Sequence, residues 1–90
     1  MVSPNLNNIH PNAYLHSIKN VTKGLKTRTK ILNVTDEQYA SATKIARDTS
    51  LKYTAVLRHL RLLEKEGIVH HKGTRRYIWL STGLGQRRLS

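Results

Sequence analysis

Residues 41–80 read SATKIARDTSLKYTAVLRHLRLLEKEGIVHHKGTRRYIWL, and the pattern within this stretch decides the fold. Its first part predicts a helix over residues 42–49, with Ser41 as the capping residue and Ile45 facing inward. A tight turn follows, and a longer helix is predicted over residues 52–66. The stretch therefore begins with two consecutive helices that only a few residues separate.

The longer helix has one apolar side and one polar side. Apolar residues recur at intervals of three or four, which places them in one stripe toward the core. Ser50 is expected to cap the start of this helix, and Gly67 is expected to close its end in the left-handed conformation. The apolar stripe comprises Val56, Leu57, Leu60 and Leu63, and the opposite face carries Thr54, Arg58, Arg61 and Lys65.

Beyond Gly67 the spacing of apolar residues changes from the helical period to the period of two that is typical of strands. Branched and aromatic residues favour strands here, and we expect residues 68–71 to pair with residues 76–80. Between them, Lys72-Gly73-Thr74-Arg75 supplies a hairpin turn with a basic tip. Two helices, a short turn and a basic hairpin make a winged helix-turn-helix, a mainly α fold with a small β-hairpin (α+β).

The same residues resemble the ArsR-like family of prokaryotic and archaeal winged-helix transcription regulators. The resemblance rests on Ile45-Ala46, on Leu51 and above all on the run VLRHLRLLEKEGIV at residues 56–69. It extends over roughly residues 27–80, and Leu57 stands where the family often has serine. The resemblance implies a protein that regulates transcription by placing its second helix, the recognition helix, in the major groove of double-stranded DNA.

Charge is the strongest compositional signal. The 90 residues include sixteen Lys and Arg against five Asp and Glu, a formal net charge of +11, which is far more than solubility requires. Such a balance predicts binding to polyanions, above all nucleic acid. A basic RNA-associated protein is one alternative, but the charge and the winged-helix pattern together favour double-stranded DNA as the partner.

Composition and length exclude several classes of protein. There is no cysteine, so disulfides and thiolate metal sites are excluded. No segment resembles a signal peptide or approaches the ~20 apolar residues of a membrane span, so we expect a cytoplasmic, nucleoid-associated protein with no membrane partner. Few acids and no Gly-rich phosphate loop argue against an enzyme, and no cofactor is expected.

No metal site is expected either. Asp36 and Glu37 are adjacent, but no other carboxylate lies close to them in the sequence. His70 and His71 would point to opposite faces of a strand, so they are poorly placed to share one ion. Metal-sensing members of the ArsR-like family use Cys or Asp/His sets in their helices, and such sets are not visible in this sequence.

The chain is expected to divide into three parts. Residues 1–11 form a loose arm rich in Asn, Ser and Pro, residues 12–81 form the winged-helix domain, and residues 82–90 form a basic tail. Four elements are predicted in the first half of the domain. The first is a helix over residues 13–23, which Asn12 caps and Gly24 ends or kinks. The second is a helix over residues 25–34, with Lys26, Arg28 and Lys30 on its outer side. A polar connection over residues 35–38 follows, and then a short strand at Tyr39-Ala40 that pairs with the wing.

One apolar stripe in the predicted helix over residues 13–23 has two interpretations. It comprises Tyr14, Leu15, Ile18 and Val21. The stripe either packs onto the protein's own winged helix or forms the seam of a homodimer. A symmetric dimer would present two recognition helices to a palindromic site.

The start of the recognition helix is expected to read base edges. Arg58 is the best candidate for a bidentate contact with guanine, Thr54 for a base or phosphate contact, and Ala55 for a thymine methyl group. Tyr53 has two interpretations: it either lies at the edge of the core or contacts a phosphate. His59 is either partly buried or in contact with DNA. The DNA-binding set on this helix is Lys52, Tyr53, Thr54, Ala55, Arg58 and Arg61, with Arg61 meeting the backbone.

The hairpin tip and the preceding helix add cations. The tip residues Lys72, Thr74, Arg75 and Arg76 suit contacts to phosphates or to a narrow minor groove, the alternative being a solvated hairpin. Lys44 and Arg47 are placed to touch flanking phosphates, which set affinity without reading sequence.

Two functions follow from these patterns. The first is a sequence-specific regulator that represses by occluding a promoter. The second is a module of another class, either a non-specific architectural DNA-binding protein or a winged helix that docks on a polymerase or another protein partner.

Overall fold

The computed structural model describes residues 9–16 and 18–82. After a 3-10 turn at Pro11–Ala13, the described residues form three helices and one antiparallel sheet whose strand order is β1-β3-β2. The prediction of a winged helix-turn-helix is confirmed. The helices are α1 (Thr22–Glu37), α2 (Ala42–Thr49) and α3 (Tyr53–Lys65), and the strands are β1 (Ala40–Ser41), β2 (Val69–Lys72) and β3 (Ile78–Ser81).

The predicted bounds of α2 and α3 are confirmed to within one residue, but the prediction for the turn between them is wrong. The hydroxyl of Ser41 caps α2 by accepting a hydrogen bond from the Lys44 amide at 3.1 Å, as expected. Ser50, however, does not cap α3. It ends α2 in the left-handed conformation, with φ at 60°. Because the turn is so short, Lys52 takes the capping position of α3 and offers no side-chain hydrogen bond.

Gly67 closes the end of α3, as the sequence predicts. Gly67 has φ at 76°, and its amide donates to the Glu64 carbonyl at 2.9 Å, while the Ile68 amide donates to the Leu63 carbonyl at 3.0 Å. These two bonds define a Schellman cap, which also brings Ile68 against Leu63 inside the core. Ile68 therefore belongs to the cap, and β2 begins one residue later than predicted.

The hairpin is shifted relative to its prediction. Val69 pairs with Ser81 and Lys72 pairs with Ile78, so the loop that joins the strands covers residues 73–77. Arg76 consequently lies in the loop and not in a strand, which corrects the predicted pairing. The wing comprises β2, β3 and this loop. Since β3 also pairs with β1, the predicted contact between the short first strand and the wing is confirmed, with Ala40 opposite Trp79.

A single apolar core lies between the three helices and the sheet. Trp79 of the central strand is 2% exposed and is the largest of its fully buried side chains. Burial of this apolar surface is the main favourable term in folding. The other fully buried members are Ala13, Ile31, Leu32, Ile45, Val56, Leu60, Leu63, Ile68 and Val69.

The helix predicted over residues 13–23 is not formed, and α1 runs unbroken through Gly24. The side chain of Asn20 binds both backbone groups of Leu15, accepting from its amide and donating to its carbonyl at 2.8 Å each. Arg28 binds the Ala13 carbonyl at 2.6 Å. These side chains take the backbone groups that a helix would need for its own ladder. The chain before α1, residues 9–16 and 18–21, therefore forms a strap that lies across α1.

Two further expectations about α1 are wrong. Residues 35–37 form its last turn and not a connection. Arg28 faces inward and is 1% exposed, because it lies three residues after Leu25 and four before Leu32, on the buried side of the helix. A guanidinium inside a core must be hydrogen-bonded, and Arg28 meets this need through the strap.

The strap is also fixed at its start. His10 accepts the Asn12 amide on Nδ1 at 3.0 Å, which places the ring proton on Nε2, 2.6 Å from Oδ2 of Asp36. The other oxygen of Asp36 accepts a hydrogen bond from the Ser81 hydroxyl. His10 falls in the range assigned to a loose arm, yet it is buried. Residues 1–8 and 83–90 lie outside the described residues, and with them most of the arm and the tail cations Arg87 and Arg88.

The four residues of the expected seam do not share one helical face. Leu15 is buried and Ile18 packs against the core, while Tyr14 and Val21 are 43% and 52% exposed. The alternative of packing onto the protein's own core therefore accounts for Leu15 and Ile18.

Candidate nucleic-acid interface

The outer side of α3 presents a polar and cationic surface. Val56, Leu60 and Leu63 are fully buried, so the opposite side of the helix faces solvent, as the periodicity predicts. We call this side the recognition face. It consists of Thr54, Arg58, Arg61 and Lys65, all exposed.

The start of α3 is open. Lys52 and Tyr53 are exposed, Tyr53 by 50%, and Ala55 is half-buried. Of the two interpretations for Tyr53, the structure favours the exposed one. No side chain caps the first turn of α3 and no acid lies in it, so this end of the helix retains a positive electrostatic potential.

A groove of about 720 Å³ lies between α3, the start of α2 and the wing. It collects five of the residues that the sequence assigned to DNA binding: Tyr53, Arg61, Thr74, Arg75 and Arg76. A shallower depression continues over α3 and is lined by Thr54, Leu57, Arg58, Arg61 and Leu62. Because Arg61 and Leu57 border both, the recognition face and the wing form one continuous cationic surface.

The wing is held against α3 by side-chain contacts at its base. Nδ1 of His71 lies 2.5 Å from Oε2 of Glu64 on α3. The His71 ring stacks on Tyr77, with centroids 4.0 Å apart, and tilts against Trp79 at 5.0 Å. Gly73 has φ at 101°, a backbone conformation that residues other than glycine rarely adopt. These contacts hold the base of the loop that carries Arg75 and Arg76.

Of the two interpretations for His59, the structure supports burial. It is 6% exposed, and its Nδ1 lies 3.5 Å from Nη1 of Arg28. Burial, together with the charges of Arg28 and Arg58, lowers the pKa of His59 to about 4. Burial also lowers the pKa of Arg28, and the carboxylate of Glu66 acts in the opposite direction. His59 is therefore neutral at physiological pH and does not belong to the recognition face.

The remaining predicted residues lie outside the groove. Arg47 is exposed on α2, whereas Nζ of Lys44 is paired with Oδ2 of Asp48 at 3.0 Å. Nζ of Lys72 lies 5.9 Å from the ring centroid of Tyr39, which is within the range of a cation–π contact. Lys44 and Lys72 thus already have partners within the fold, whereas no ion pair among the described residues involves the arginines of the groove.

Sequence reasoning missed part of the groove lining. Leu57 packs against the core as the stripe predicts, but it is only half-buried and also borders both depressions. Tyr77 is 44% exposed beside the wing arginines. The signal for Leu57 was available, since successive helical residues are about 100° apart and Leu57 directly follows the buried Val56. The position of Tyr77 depends on the length of the wing loop, which the turn residues did not specify.

The described residues contain no group of three or more His, Asp or Glu side chains arranged to hold a metal ion. None of the helices in this part of the chain is both long enough and apolar enough to cross a membrane.

Three solved structures share the fold. Two are of mutants of Lactococcus lactis ZitR. The first, a cysteine-to-serine mutant, has a TM-score of 0.66 and 22% identity over 83% of this chain and 52% of that one. The second, a glutamate-to-alanine mutant, has a TM-score of 0.63 and 19% identity over 84% and 55%. This chain thus spans about half the length of the ZitR chains.

The third structure is the Zalpha domain of Carassius auratus PKZ in complex with Z-DNA. It has a TM-score of 0.60 and 22% identity, and the match covers 63% of this chain and 94% of that domain. At such identities the likeness concerns the fold. Comparison with curated protein sequences finds no match.

The family comparison is more specific. The model described as "Bacterial regulatory protein, arsR family" matches residues 26–71, slightly more than half of the chain. The match begins in α1, covers α2 and α3 and ends in β2, so it contains the whole helix-turn-helix unit and the start of the wing. With the winged helix and its cationic surface, this match establishes that the chain belongs to the arsR family of DNA-binding transcription regulators.

Proposed function

We propose that α3 is the recognition helix of a regulator that binds double-stranded DNA, with the wing on the adjacent backbone or in the minor groove. The observation that carries the proposal is the continuity of the recognition face with the groove. A helix of this diameter fits the major groove of B-form DNA. The wing arginines then project toward the neighbouring phosphates on the same side of the protein.

Base reading is assigned to the first two turns of α3. Arg58 has a planar guanidinium that suits bidentate contact with O6 and N7 of guanine. It is exposed, and no ion pair within the described residues holds it. Thr54 lies one turn earlier on the same face. Ala55 is half-buried, so a contact with a thymine methyl group requires close approach of the base pair.

Phosphate binding is assigned to the groove and its rim. Arg61, Arg75 and Arg76 border the groove, where a DNA strand would pass between α3 and the wing. Such contacts contribute affinity that falls steeply with salt but carry no sequence information. Lys52, Tyr53, Lys72, Thr74, Lys44 and Arg47 complete the proposed set, with Lys44 and Lys72 giving up their present partners in order to take part.

A homodimer through the strap is part of the proposal. Leu15 and Ile18 are engaged in the chain's own core, so Tyr14 and Val21 would carry the contact between protomers. Replacement of both with serine is expected to shift sedimentation from dimer to monomer. A wild-type protein that is monomeric at all concentrations tested would remove the dimer from the proposal and leave the DNA contact intact.

We infer repression by promoter occlusion, at the nucleoid, as the mode of action. A protein that bound any duplex equally would be architectural. A protein that bound no duplex at physiological salt would use the winged helix to dock on a protein partner. Sequence preference separates these three modes.

Fluorescence-anisotropy titration tests the proposal. A duplex selected from a random pool is compared with its scrambled form, for wild type, Arg58→Ala and Lys19→Ala. The last variant removes the same charge from an exposed position in the strap. We expect the selected duplex to be preferred by roughly 10³-fold, Arg58→Ala to abolish most of this preference and Lys19→Ala to retain it. Equal loss of preference in both variants would contradict the assignment of Arg58.

A further inference from the structure

A second cationic surface lies on α1. Lys23, Lys26 and Lys30 are exposed, and their spacing of three and four residues places them on one side of the helix. They extend over about 10 Å of helix. We call this surface the α1 lysine face. Lys19, in the strap just before α1, is exposed as well.

The α1 lysine face and the recognition face point away from each other. The buried side of α1, which includes Leu25, Arg28 and Leu32, packs against the other helices and the sheet. Arg28 reaches His59 on the buried side of α3. Because α1 and α3 meet through their buried sides, their exposed sides lie on opposite surfaces of the domain. DNA held by α3 therefore leaves the lysine face open.

Within the described residues, none of the ion pairs involves these lysines. All five Asp and Glu lie among the described residues. Asp36 binds His10 and Ser81, Asp48 binds Lys44 and Glu64 binds His71, while Glu66 accepts the His16 amide. Glu37 is exposed at the last position of α1, about 10 Å along the helix from Lys30.

This arrangement opposes the stability of α1. Like charges three and four residues apart repel each other. Lys23 also lies in the first turn, where the helix dipole disfavours a cation and where no acid is present. Solubility alone would be served equally well by a mixture of both charges. Repulsion between like charges that nothing within the fold offsets is expected where an external partner supplies the opposite charge.

The chemistry of the face matches a phosphate backbone. Lysine ammonium groups act as point charges that bind phosphates without base recognition. Each strand of a duplex advances about 3.4 Å per phosphate, so a face of about 10 Å can meet roughly three. The other exposed residues of α1 are Thr22, Asn33 and Glu37, none of which is apolar, so the face lacks the apolar row that a lipid surface would require.

We propose that the α1 lysine face is a second, sequence-independent DNA-binding surface, which contacts the backbone of one duplex segment while α3 occupies another. One chain then bridges two segments of DNA. The proposal rests on the proposed function for the α3 side and adds a surface that faces the other way.

A bead assay tests bridging. The selected duplex is immobilised, the protein is added, and a second, fluorescent duplex of unrelated sequence is offered at low salt. We expect wild type to retain the second duplex and Lys23→Gln/Lys26→Gln/Lys30→Gln to retain at least tenfold less of it. The same triple variant should bind the selected duplex alone with less than threefold loss. The charge-preserving variant Lys23→Arg/Lys26→Arg/Lys30→Arg should bridge like wild type.

The outcomes are separable from those of the proposed function. Bridging that persists in the triple-Gln variant would overturn the inference and point to a dimer with two recognition helices. Binding of the selected duplex with no recruitment of the second by wild type would overturn the inference alone. Failure of wild type to bind the selected duplex would overturn the proposed function. Circular dichroism and thermal unfolding establish that the variants are folded, and the triple-Gln variant should unfold no earlier than wild type because repulsion is removed.

Discussion

Nη1 of Arg28 lies 3.5 Å from Nδ1 of His59, inside the contact between α1 and α3. The same guanidinium binds the Ala13 carbonyl at 2.6 Å and the Asn20 side chain at 3.1 Å. One buried cation therefore connects the strap, the first helix and the recognition helix. Its charge also adds to the effect of burial in lowering the pKa of the histidine that it faces.

The stability of the fold should fall in mild acid because of His59. Its pKa is lowered from 6.5 to about 4 in the folded protein by burial, Arg28 and Arg58. Between these values the unfolded chain binds more protons than the folded one, so the free energy of unfolding decreases as the pH falls from 6.5 toward 4. The contribution of His59 to this loss is about 2 kcal/mol at pH 5.

Urea unfolding of wild type and His59→Gln at pH 7.5 and pH 5 measures this contribution as a difference of differences, which removes the effect of other titrating groups. The variant should lose about 2 kcal/mol less than wild type over this interval. Equal losses in the two proteins would show that His59 is not the responsible group.

Removal of the buried cation should destabilise the domain and also weaken its response to acid. Arg28→Met leaves the Ala13 carbonyl without its donor, at a cost of about 2 kcal/mol at pH 7.5. The acid response of His59 should shrink, since one of the charges that disfavour its protonation is absent. Denaturant titrations at both pH values measure the two effects. Lys30→Met, on the exposed side of the same helix, is the control and should change stability by less than about 0.5 kcal/mol.

Substitution at the wing turn should affect DNA binding more than stability. A Cβ added at Gly73 would lie 2.3 Å from the carbonyl oxygen of Arg76, and the residue has φ at 101°. Gly73→Ala must therefore rearrange the loop and displace Arg75 and Arg76. We expect affinity for the selected duplex to fall about tenfold in anisotropy titrations, because two phosphate contacts are misplaced.

The matched comparison for Gly73→Ala is Gly67→Ala, which strains the cap of α3. That variant should cost about 1 kcal/mol in unfolding free energy with a smaller change in DNA affinity. A Gly73→Ala protein that binds DNA like wild type would indicate that the wing takes no part in binding.

The pairing of His10 with Asp36 should be measurable as coupling. A double-mutant cycle with His10→Ala and Asp36→Ala isolates the 2.6 Å contact between Nε2 and Oδ2 from the separate bond of Asp36 to Ser81. The losses of unfolding free energy in the two single variants should add up to about 1 kcal/mol more than the loss in the double variant at pH 7.5. Additive losses would mean that the strap is held by Arg28 and Asn20 without this contact.

The sequence predicted α2, α3 and the wing because their signals are local. The apolar spacing of Val56, Leu60 and Leu63 and the glycine at 67 each define a feature within a few neighbouring residues. The arsR-like character was visible in the same run, and the family match over residues 26–71 confirms it. The arginines of the recognition face were likewise found, because their positions follow from the buried stripe.

The strap was predicted wrongly because its conformation depends on contacts between distant residues. The sequence around Leu15 and Ile18 has helical spacing, but Asn20 and Arg28 bind the backbone there and prevent a helix. Arg28 was placed outside on residue type alone, although its spacing from Leu25 and Leu32 indicated the buried side. A charged residue in an apolar row is the signal that was overlooked.

His10 and Ser81 both contact the carboxylate of Asp36, and this arrangement has a consequence for engineering. His10 and Ser81 therefore lie close together in the fold, although 70 residues stand between them in the sequence. A short linker between them, with new ends opened in the wing loop at residues 73–77, should give a circular permutant with an unchanged core. Such a rearranged chain would separate the role of the wing as a continuous hairpin from the role of its arginines.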